Sequence, residues 1–443
     1  MIIASLVFVF FTRSALYPYD VRADYQYDFE GSQSILTHLE IAGDVIKVPE
    51  GLETDRTSLV KVSIESSLWG SFAQPSIDIT SGTNSETQYF EHGASGIRYL
   101  NVSNLISSGA QHLNLIGNNL SVENGPVDLV QFENIVVGGK RILVIAPHPD
   151  DAEISSFGLY SSHDDVYVVT ITAGDAGGFM YDEIYSEADE VNHYLKKGEV
   201  RTWNSLTVPL LGGVTPERTI NLGFFDATLK SLANDRNLIA SGLYTNTSDI
   251  STFRKQNVSE LAAGLNGVNN WQSLVNNLAY LLDEIKPDII ILPSPKLDQH
   301  SDHQYATHAT IEAIKMTGKR DGHLFLYTNH FILNELYPYG EIGAAVSLPA
   351  SPEKGNYFNR IYSHTLTPQQ QQGKILALDA MNDLRLGTDY RFYDLAFMQA
   401  WELFFSEIIG KNESYFRRSV RSNELFFVVE IEEVYDVAKA PNL

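Results

Sequence analysis

The sequence predicts an α/β fold in which a parallel sheet is flanked by helices, preceded by an all-β, sandwich-like domain. Two apolar, β-branched runs at 141–147 and 288–293 are typical of buried parallel strands. From residue 140 onward strands, loops and helical segments alternate, as in a parallel sheet covered by helices. Between residues 24 and 133, short apolar runs are instead broken by Gly, Asn, Ser and Pro about every ten residues, which indicates a sandwich.

Length and charge narrow the possible functions. A chain of 443 residues is longer than a single hydrophobic core usually fills, so we expect two domains. Its 31 basic and 55 acidic residues give a formal charge of −24. This charge disfavours nucleic acid and anionic lipid surfaces, which bind clustered Lys and Arg, and suits a neutral or cationic substrate. Because the chain has no cysteine, disulfides, thiolate metal sites and a Cys nucleophile are excluded.

The first 23 residues are predicted to be a signal peptide or membrane anchor. The apolar run at 2–11 is too short for an ordinary membrane-spanning helix, but it matches the core of a secretory signal. Val21-Arg22-Ala23 offers a weak cleavage site. This interpretation predicts an exported or membrane-anchored protein on the periplasmic or extracellular side, with a possible tether at its amino terminus. The alternative is a buried amino-terminal strand.

Two domains follow in the prediction: a β-sandwich-like accessory domain at 24–139 and a catalytic domain with a C-terminal extension at 140–443. The accessory domain is expected either to bind glycan or to pack against the catalytic domain. Its clearest predicted strands lie at 46–48, 59–64, 97–102 and 113–116.

The catalytic domain has further predicted elements. A second strand is expected at 165–172, and the segment from 212 to 269 is expected to form loops over the strand ends. Predicted helices lie at 186–205, at 269–285 and from His303 onward. The last part of the chain is predicted to contain a helix at 369–384, an aromatic-rich segment at 390–405 and a strand at 426–431.

Two short motifs carry the chemistry. His148-Pro149-Asp150-Asp151, with Glu153 two residues further on, follows the first apolar strand, and His300-Ser301-Asp302-His303 follows the other. Ligands of an open α/β sheet bind just beyond the carboxyl ends of its strands. We therefore expect the two motifs to form one site.

The residue types in these motifs suit a catalytic metal, which takes three protein ligands and leaves a fourth position for water. The predicted ligands are His148, Asp151 and His303. Asp150 would lie beside the metal and accept a proton from the bound water. His300 would stabilise the developing oxyanion, and Asp302 would orient an imidazole.

Together these motifs resemble the PIG-L-like (LmbE-related) N-deacetylases. The resemblance implies a Rossmann-like fold, bound Zn²⁺, and removal of an acetyl or other acyl group from an N-acylated sugar. That sugar is usually an N-acetylglucosamine unit, here of a glycan or glycolipid. It also implies His148, Asp151 and His303 as zinc ligands, Asp150 as general base, and His300 as electrostatic or acid partner. The resemblance covers roughly residues 140–320.

Weaker similarities suggest substrate contacts. The turn at 172–177 looks like the family's Gly-rich turn near the substrate, and it contains Asp175. Lys196 and Arg201 lie on a predicted helix where the family usually has an Arg followed three residues later by a Glu. The segment at 223–226 resembles one that ends in a substrate-contacting aspartate, here Asp226.

Three alternatives stay open at this stage. The first motif alone would also fit an ordinary turn in which Asp150 and Asp151 cap the next helix, although that fits the pair of motifs much less well. Two histidines and one carboxylate also hold non-haem iron for oxygen chemistry. In the third alternative, the chain is a carbohydrate-binding protein with a vestigial metal site. Zinc is the predicted cofactor, and other divalent ions suit the same ligands.

Overall fold

The computed structural model describes residues 17–29, 32–179, 181, 184–333, 336–351, 358–384 and 418–436. The aromatic-rich segment at 390–405 and the apolar run at 2–11 lie outside these residues, so the signal or anchor stays a prediction. Among the described residues, no helix combines the length and the apolarity needed to cross a bilayer.

The amino-terminal part forms a nine-stranded antiparallel sheet in the order β5-β4-β7-β2-β1-β9-β3-β6, with β8 also paired to β3. The strands are β1 (Ser34–Ala42), β2 (Val45–Lys47), β3 (Arg56–Ser66), β4 (Ser76–Ser81), β5 (Asn84–Tyr89), β6 (Ser95–Asn101), β7 (His112–Asn118), β8 (Leu120–Val122) and β9 (Gly125–Glu133). The β-rich prediction is confirmed. A sandwich would have two separate sheets, whereas β2 pairs with both β1 and β7 and so joins all the strands into one.

Alternation along β3 shows how this sheet forms its core. Val60, Val62 and Ile64 are buried on one face, as period-two patterning requires. They belong to the same apolar cluster as Ile77 and Ile79 of β4, which lies towards the other end of the sheet. Both ends of the sheet therefore share one hydrophobic core.

The second sheet has seven strands in the order β12-β11-β10-β13-β14-β16-β15. They are β10 (Ile142–Ala146), β11 (Val166–Thr172), β12 (Thr219–Phe224), β13 (Ile289–Pro293), β14 (His323–Tyr327), β15 (Arg360–Thr365) and β16 (Asn423–Glu430). The strands from β10 to β14 are parallel, and β16 and β15 complete the sheet in antiparallel pairing.

Strand β12 corrects the prediction that residues 212–269 form only loops. Thr219 and Asn221 interrupt its apolar run, which hid the strand in the sequence. Both polar side chains are nevertheless buried and bonded: Asn221 Nδ2 donates to Thr172 O over 3.2 Å, and Thr219 Oγ1 donates to Leu206 O over 2.8 Å. The strand therefore buries polar side chains without leaving them unsatisfied.

Helices connect and cover these strands. They are α1 (Ser103–Ser107), α2 (Asp151–Tyr160), α3 (Glu190–Thr207), α4 (Leu229–Asn234), α5 (Ser251–Arg254), α6 (Trp271–Ile285), α7 (Ser301–Thr317) and α8 (Pro368–Ala380). The helices predicted at 186–205, at 269–285, after His303 and at 369–384 correspond to α3, α6, α7 and α8. Because β10 lies between β11 and β13, the loops that follow β10 and β13 meet at the same edge of the sheet.

The folded part of the chain begins before the predicted boundary at residue 23. Tyr17 is buried, and its hydroxyl lies 3.0 Å from His92 Nδ1. The guanidinium of the fully buried Arg98 donates to Val21 O over 2.6 Å and to Ala23 O over 3.0 Å. Residues 17–23 therefore pack against the nine-stranded sheet as part of the fold.

Candidate metal centre

Three side-chain atoms form a nearly equilateral triangle beyond the carboxyl ends of β10 and β13. Asp151 Oδ2 lies 3.2 Å from His148 Nδ1 and 3.1 Å from His303 Nε2, and the two imidazole nitrogens are 3.3 Å apart. In a tetrahedral zinc site, metal–ligand bonds of about 2.0–2.1 Å place the ligand atoms about 3.3–3.4 Å from one another. The structure thus brings the three predicted ligands together at the spacing of a small divalent cation.

The second polar atom of His303 and of Asp151 is hydrogen-bonded to a neighbour, whereas His148 Nε2 lies near a carboxylate without a hydrogen bond among the described residues. His303 Nδ1 lies 2.9 Å from Asp298 Oδ2, and Asn329 Nδ2 donates to Asp151 Oδ1 over 2.8 Å. His148 Nε2 lies 3.0 Å from Asp226 Oδ1. Such outer contacts fix the tautomer and orientation of metal ligands. The outer hydrogen bonds of His303 and Asp151 direct the other atom of each side chain into the triangle.

Other groups of potential ligands share the same histidine. Ligand atoms within 4.8 Å of one another also occur in the set His148, His300 and His303 and in the set His148, Asp226 and Asp302. Here we favour the triangle through His148 Nδ1, since its edges match a tetrahedral site and its three residues have outer partners. Asp226 and Asp302 contact the opposite ring nitrogen, His148 Nε2, at 3.0 and 3.5 Å.

Asp150, the predicted general base, has an unusual backbone. Its φ of 119° and ψ of −32° lie outside the regions that non-glycine residues favour. Such a conformation costs about 1–3 kcal/mol and persists only where surrounding contacts hold it. Here Arg201 Nη2 donates to both Pro149 O, over 2.9 Å, and Asp150 Oδ2, over 3.0 Å. Arg201 therefore holds both the strained turn and the carboxylate.

One face of helix α3 holds the glycine-rich loop at 174–178. Tyr194, Lys197 and Arg201 lie three and four positions apart and so share a face. Tyr194 Oη donates to Gly177 O over 3.1 Å, and Arg201 Nη1 donates to Gly174 O over 3.0 Å. Lys197 Nζ donates to Ala176 O over 2.5 Å and to Gly178 O over 3.1 Å. The loop conformation is therefore set by α3.

The structure does not bring Lys196 to the triangle, and its role as a substrate contact stays a prediction. Lys196 is exposed, and its Nζ pairs with Glu199 Oε2 at 2.6 Å. Five positions separate Lys196 from Arg201, which corresponds to about 140° around a helix. Because the two residues therefore face different ways, only Arg201 reaches the site.

Asp175 and Asp226 are both near the triangle but differ in accessibility. Asp175 is 1% exposed, and its Oδ1 accepts from Asp226 N over 2.9 Å. Burial, together with the charge of Asp226, raises the pKa of Asp175 to about 7. In Asp226, burial alone would raise the pKa, but the charge of His148 holds it well below its usual range. Asp175 thus supports the Asp226 backbone, and the Asp226 carboxylate contacts His148, a predicted ligand.

Asp302, predicted to orient an imidazole, lies on the His148 side of the triangle. Its Oδ2 accepts from Ala227 N over 2.7 Å and lies 3.5 Å from His148 Nε2. Its Oδ1 accepts from Leu229 N over 3.3 Å. The carboxylate therefore joins the loop after β12 to the start of α7, which carries His303.

His300 stands at the start of α7 with its ring centre 4.8 Å from that of His148 and 4.9 Å from that of His303. Burial lowers the pKa of His300 to about 3, and positive charge on His148 and His303 acts in the same direction. Among the described residues its Nδ1 has no hydrogen-bond partner. This nitrogen is therefore available to a bound molecule.

Two residues of the site, Asp298 and Asn329, were not predicted from the sequence. Asp298 Oδ2 accepts from the backbone N–H of Asn329 and of His330, at 3.0 and 3.1 Å, besides contacting His303. Asn329, on the loop after β14, holds Asp151. The position of Asp298, five residues before His303 in a loop after a strand, was the available signal. For Asn329, the only indication in the sequence was its position just after another strand of the parallel sheet, β14.

Comparison with known proteins gives one family match. Residues 143–314, which include both motifs, match the family model described as PIG-L, GlcNAc-PI de-N-acetylase. No curated protein matches the chain.

Several solved structures are similar in part. A deacetylase triple mutant (Orf2*T) of the teicoplanin biosynthetic pathway is 14% identical over 66% of this chain and 98% of its own, with a TM-score of 0.35. The A40926 pseudoaglycone deacetylase Dbv21 is 16% identical over 66% of this chain and 98% of its own, with a TM-score of 0.34. The conserved protein TT1542 from Thermus thermophilus is 16% identical over 65% of this chain and 94% of its own, with a TM-score of 0.32.

The matched segment runs from β10 into α7 and contains all three corners of the triangle. Asn329, which holds Asp151, lies just beyond it. The match to the PIG-L family model therefore falls on the part of the chain that carries both motifs.

Proposed function

We propose that the protein is a metal-dependent amide hydrolase that removes the acetyl group from an N-acetylated sugar of a glycan or glycolipid. The observation that carries this proposal is the triangle of His148, Asp151 and His303, whose edges measure 3.1–3.3 Å. The family match over residues 143–314 supports the same chemistry. The parallel order of β10 to β14 supports the predicted Rossmann-like arrangement of the catalytic part.

The residues around the triangle have distinct roles in amide hydrolysis. A bound zinc ion would polarise the acetyl carbonyl and make a coordinated water more acidic. Asp150 accepts a proton from the attacking water and returns it to the sugar nitrogen as the C–N bond breaks. His300, whose Nδ1 is available, donates a hydrogen bond to the developing oxyanion. Water and the amide are thereby converted into acetate and a protonated amino sugar.

The charge of the site favours an uncharged sugar. Aspartates surround the triangle, and the guanidinium of Arg201 is already bonded to Asp150, Pro149 and Gly174. The whole chain carries a formal charge of −24. Anionic groups on a substrate would therefore be repelled both at long range and within the site.

The test measures acetate release from a panel of N-acetylglucosamine oligosaccharides and glycolipids. Protein is compared as purified, after chelation, and after zinc is restored. Asp150→Asn should keep one metal ion per chain but lose activity about 10²–10⁴-fold, because general-base catalysis contributes that much. Asp128→Asn, on β9 of the nine-stranded sheet, is the matched control and should keep full activity.

Two results would contradict the proposal. Acetate release that survives chelation would exclude the metal from the reaction. Bound iron, combined with consumption of an oxo-acid co-substrate and no acetate release, would assign the same ligands to oxygen chemistry instead.

A further inference from the structure

A set of aromatic rings lies beside the candidate metal centre and takes no part in the proposed chemistry. We call it the aromatic wall; it consists of Phe179, Tyr181, Tyr185 and Tyr244. All four side chains are partly exposed. They come from the segment after the glycine-rich loop and from the loop that precedes α5.

Two buried rings of helix α3 support this wall. Phe179 stacks on His193 with ring centres 3.8 Å apart and planes 21° apart. Tyr244 stacks on Tyr194 at 4.3 Å and 18°. His193 and Tyr194 are buried and meet edge to face at 4.5 Å. Phe179 and Tyr244 each therefore have one face fixed on a buried ring, which holds the ring in place before any ligand binds.

The wall is connected to the candidate metal centre through a series of residue contacts. A Cβ built on Gly242 would lie 3.0 Å from Asp175 Oδ2, so the backbone two residues before Tyr244 packs on Asp175. Asp175 in turn bonds Asp226 N, and Asp226 contacts the ligand His148. Two residues of chain span at most about 7 Å. The backbone of Tyr244 therefore lies within about 7 Å of that of Gly242, which packs on Asp175.

The glycine-rich loop also connects the wall, through Phe179, to the residues around the triangle. Phe179 directly follows Gly178, whose carbonyl accepts from Lys197 Nζ over 3.1 Å. Arg201, one turn further along α3, bonds both Gly174 O and the Asp150 carboxylate. The cations on this face of α3 are thus already bonded to carbonyl and carboxylate oxygens. A ligand on the wall would meet aromatic faces and hydroxyl groups rather than positive charge.

We propose that the aromatic wall is a subsite for a second, uncharged sugar ring, so that the substrate is an oligosaccharide rather than a single N-acetylated sugar. This inference rests on the proposed function. Flat, partly exposed tyrosine and phenylalanine faces offer large apolar contact area with a polar edge, which suits the C–H faces of a pyranose ring. The fixed rings lower the entropic cost of binding.

The experiment compares kcat/KM for acetate release from N-acetylglucosamine and from its β-1,4-linked di-, tri- and tetrasaccharides. The zinc-loaded protein is tested beside Tyr244→Ala and Phe179→Ala. Tyr167→Ala is the matched control, since this partly exposed tyrosine lies at the amino end of β11, away from the site. We expect kcat/KM to rise between the mono- and disaccharide and each wall variant to reduce that rise about 3–10-fold, with the monosaccharide unaffected.

Binding separates failure of the subsite from failure of the proposed function. The affinity of zinc-loaded Asp150→Asn for the tetrasaccharide is measured by calorimetry, with and without Tyr244→Ala. A loss of about 3–10-fold in affinity supports the subsite even if no acetate is released. Equal affinities, or a rise in kcat/KM that the wall variants leave unchanged, would overturn it. The octyl glycoside of N-acetylglucosamine is a further substrate. If its kcat/KM exceeds that of the monosaccharide as much as the disaccharide's does, and falls as much in the wall variants, the wall binds an apolar tail instead.

Discussion

The two ends of helix α2 are held in place by different parts of the chain. At its start, Asp151 makes contacts with His148, three residues away, with His303 on helix α7 and with Asn329 on the loop after β14. Near its end the helix is irregular, since Ser156 has a φ of −145°. Beyond this break, the backbone N–H groups of Gly158 and Leu159 donate to the carboxylate of Glu424, over 2.8 and 2.9 Å.

The two ends of α2 are kept in position by different kinds of interaction. Glu424 on β16 is paired with Lys374 on α8 at 2.8 Å, and both side chains are buried. The start of α2 is thus organised around the candidate metal centre, while its end is organised around an ion pair supplied by the C-terminal part of the chain. The reactive end of the helix can be damaged by removing one ligand, and the other end by unpairing one buried charge.

The largest effect is expected at the start of the helix, from Asp151→Asn. Loss of the anionic ligand weakens the metal site and its charge stabilisation, which is worth several kcal/mol or about 10³-fold in kcat/KM. Metal content per chain and acetate release are measured together. An Asp151→Asn protein that keeps one tightly bound zinc and normal activity would remove this residue from the site.

The next effect concerns the end of the helix, in Glu424→Gln. Removing one partner of a buried pair leaves Lys374 uncompensated, so the free energy of unfolding should fall by about 3–5 kcal/mol. Urea denaturation measures this change. The double variant Glu424→Gln with Lys374→Met should recover part of the loss, because no unpaired charge is left. A double variant no more stable than the single one would show that the pair itself is not the cause.

A smaller effect is expected from Asp298→Asn, which alters the outer contact of His303. Contacts of this kind typically change metal affinity by about 10–100-fold. Competition with a chromophoric chelator measures the affinity, and the unfolding of the metal-free protein serves as a check on folding. Zinc affinity within about twofold of the parent protein would mean that Asp298 does not orient the ligand.

The smallest effect is expected from Lys196→Ala, since Lys196 is exposed and bonded only to Glu199 among the contacts described above. Both kcat and KM should stay within about twofold of their original values, as for most surface substitutions. A large rise in KM would return Lys196 to the substrate site and contradict the helix geometry given above.

Features of the fold and of the site that depend on neighbouring residues could be predicted from the sequence, whereas those that depend on distant residues could not. The cluster of polar residues at the start of α2 was predictable because His148, Asp150 and Asp151 are close in the chain and follow an apolar strand. The polar residues of β12 obscured its strand pattern, and the short β2 joined what was expected to be two sheets. Glu424 and Lys374 meet across 50 residues, and Asn329 reaches Asp151 across 178, so their contacts depend on the folded topology rather than on any local pattern.

The packing of residues 17–23 has a consequence for proteolytic processing. Arg98 is fully buried, and two of its hydrogen bonds go to the carbonyls of Val21 and Ala23. A peptidase cutting after Ala23 would detach from the rest of the chain the segment whose two carbonyls satisfy this guanidinium. In the folded protein that peptide bond is part of a bonded turn, so cleavage there requires the turn to open locally first. Limited proteolysis of the folded chain should therefore spare the 23–24 bond until denaturant exposes it.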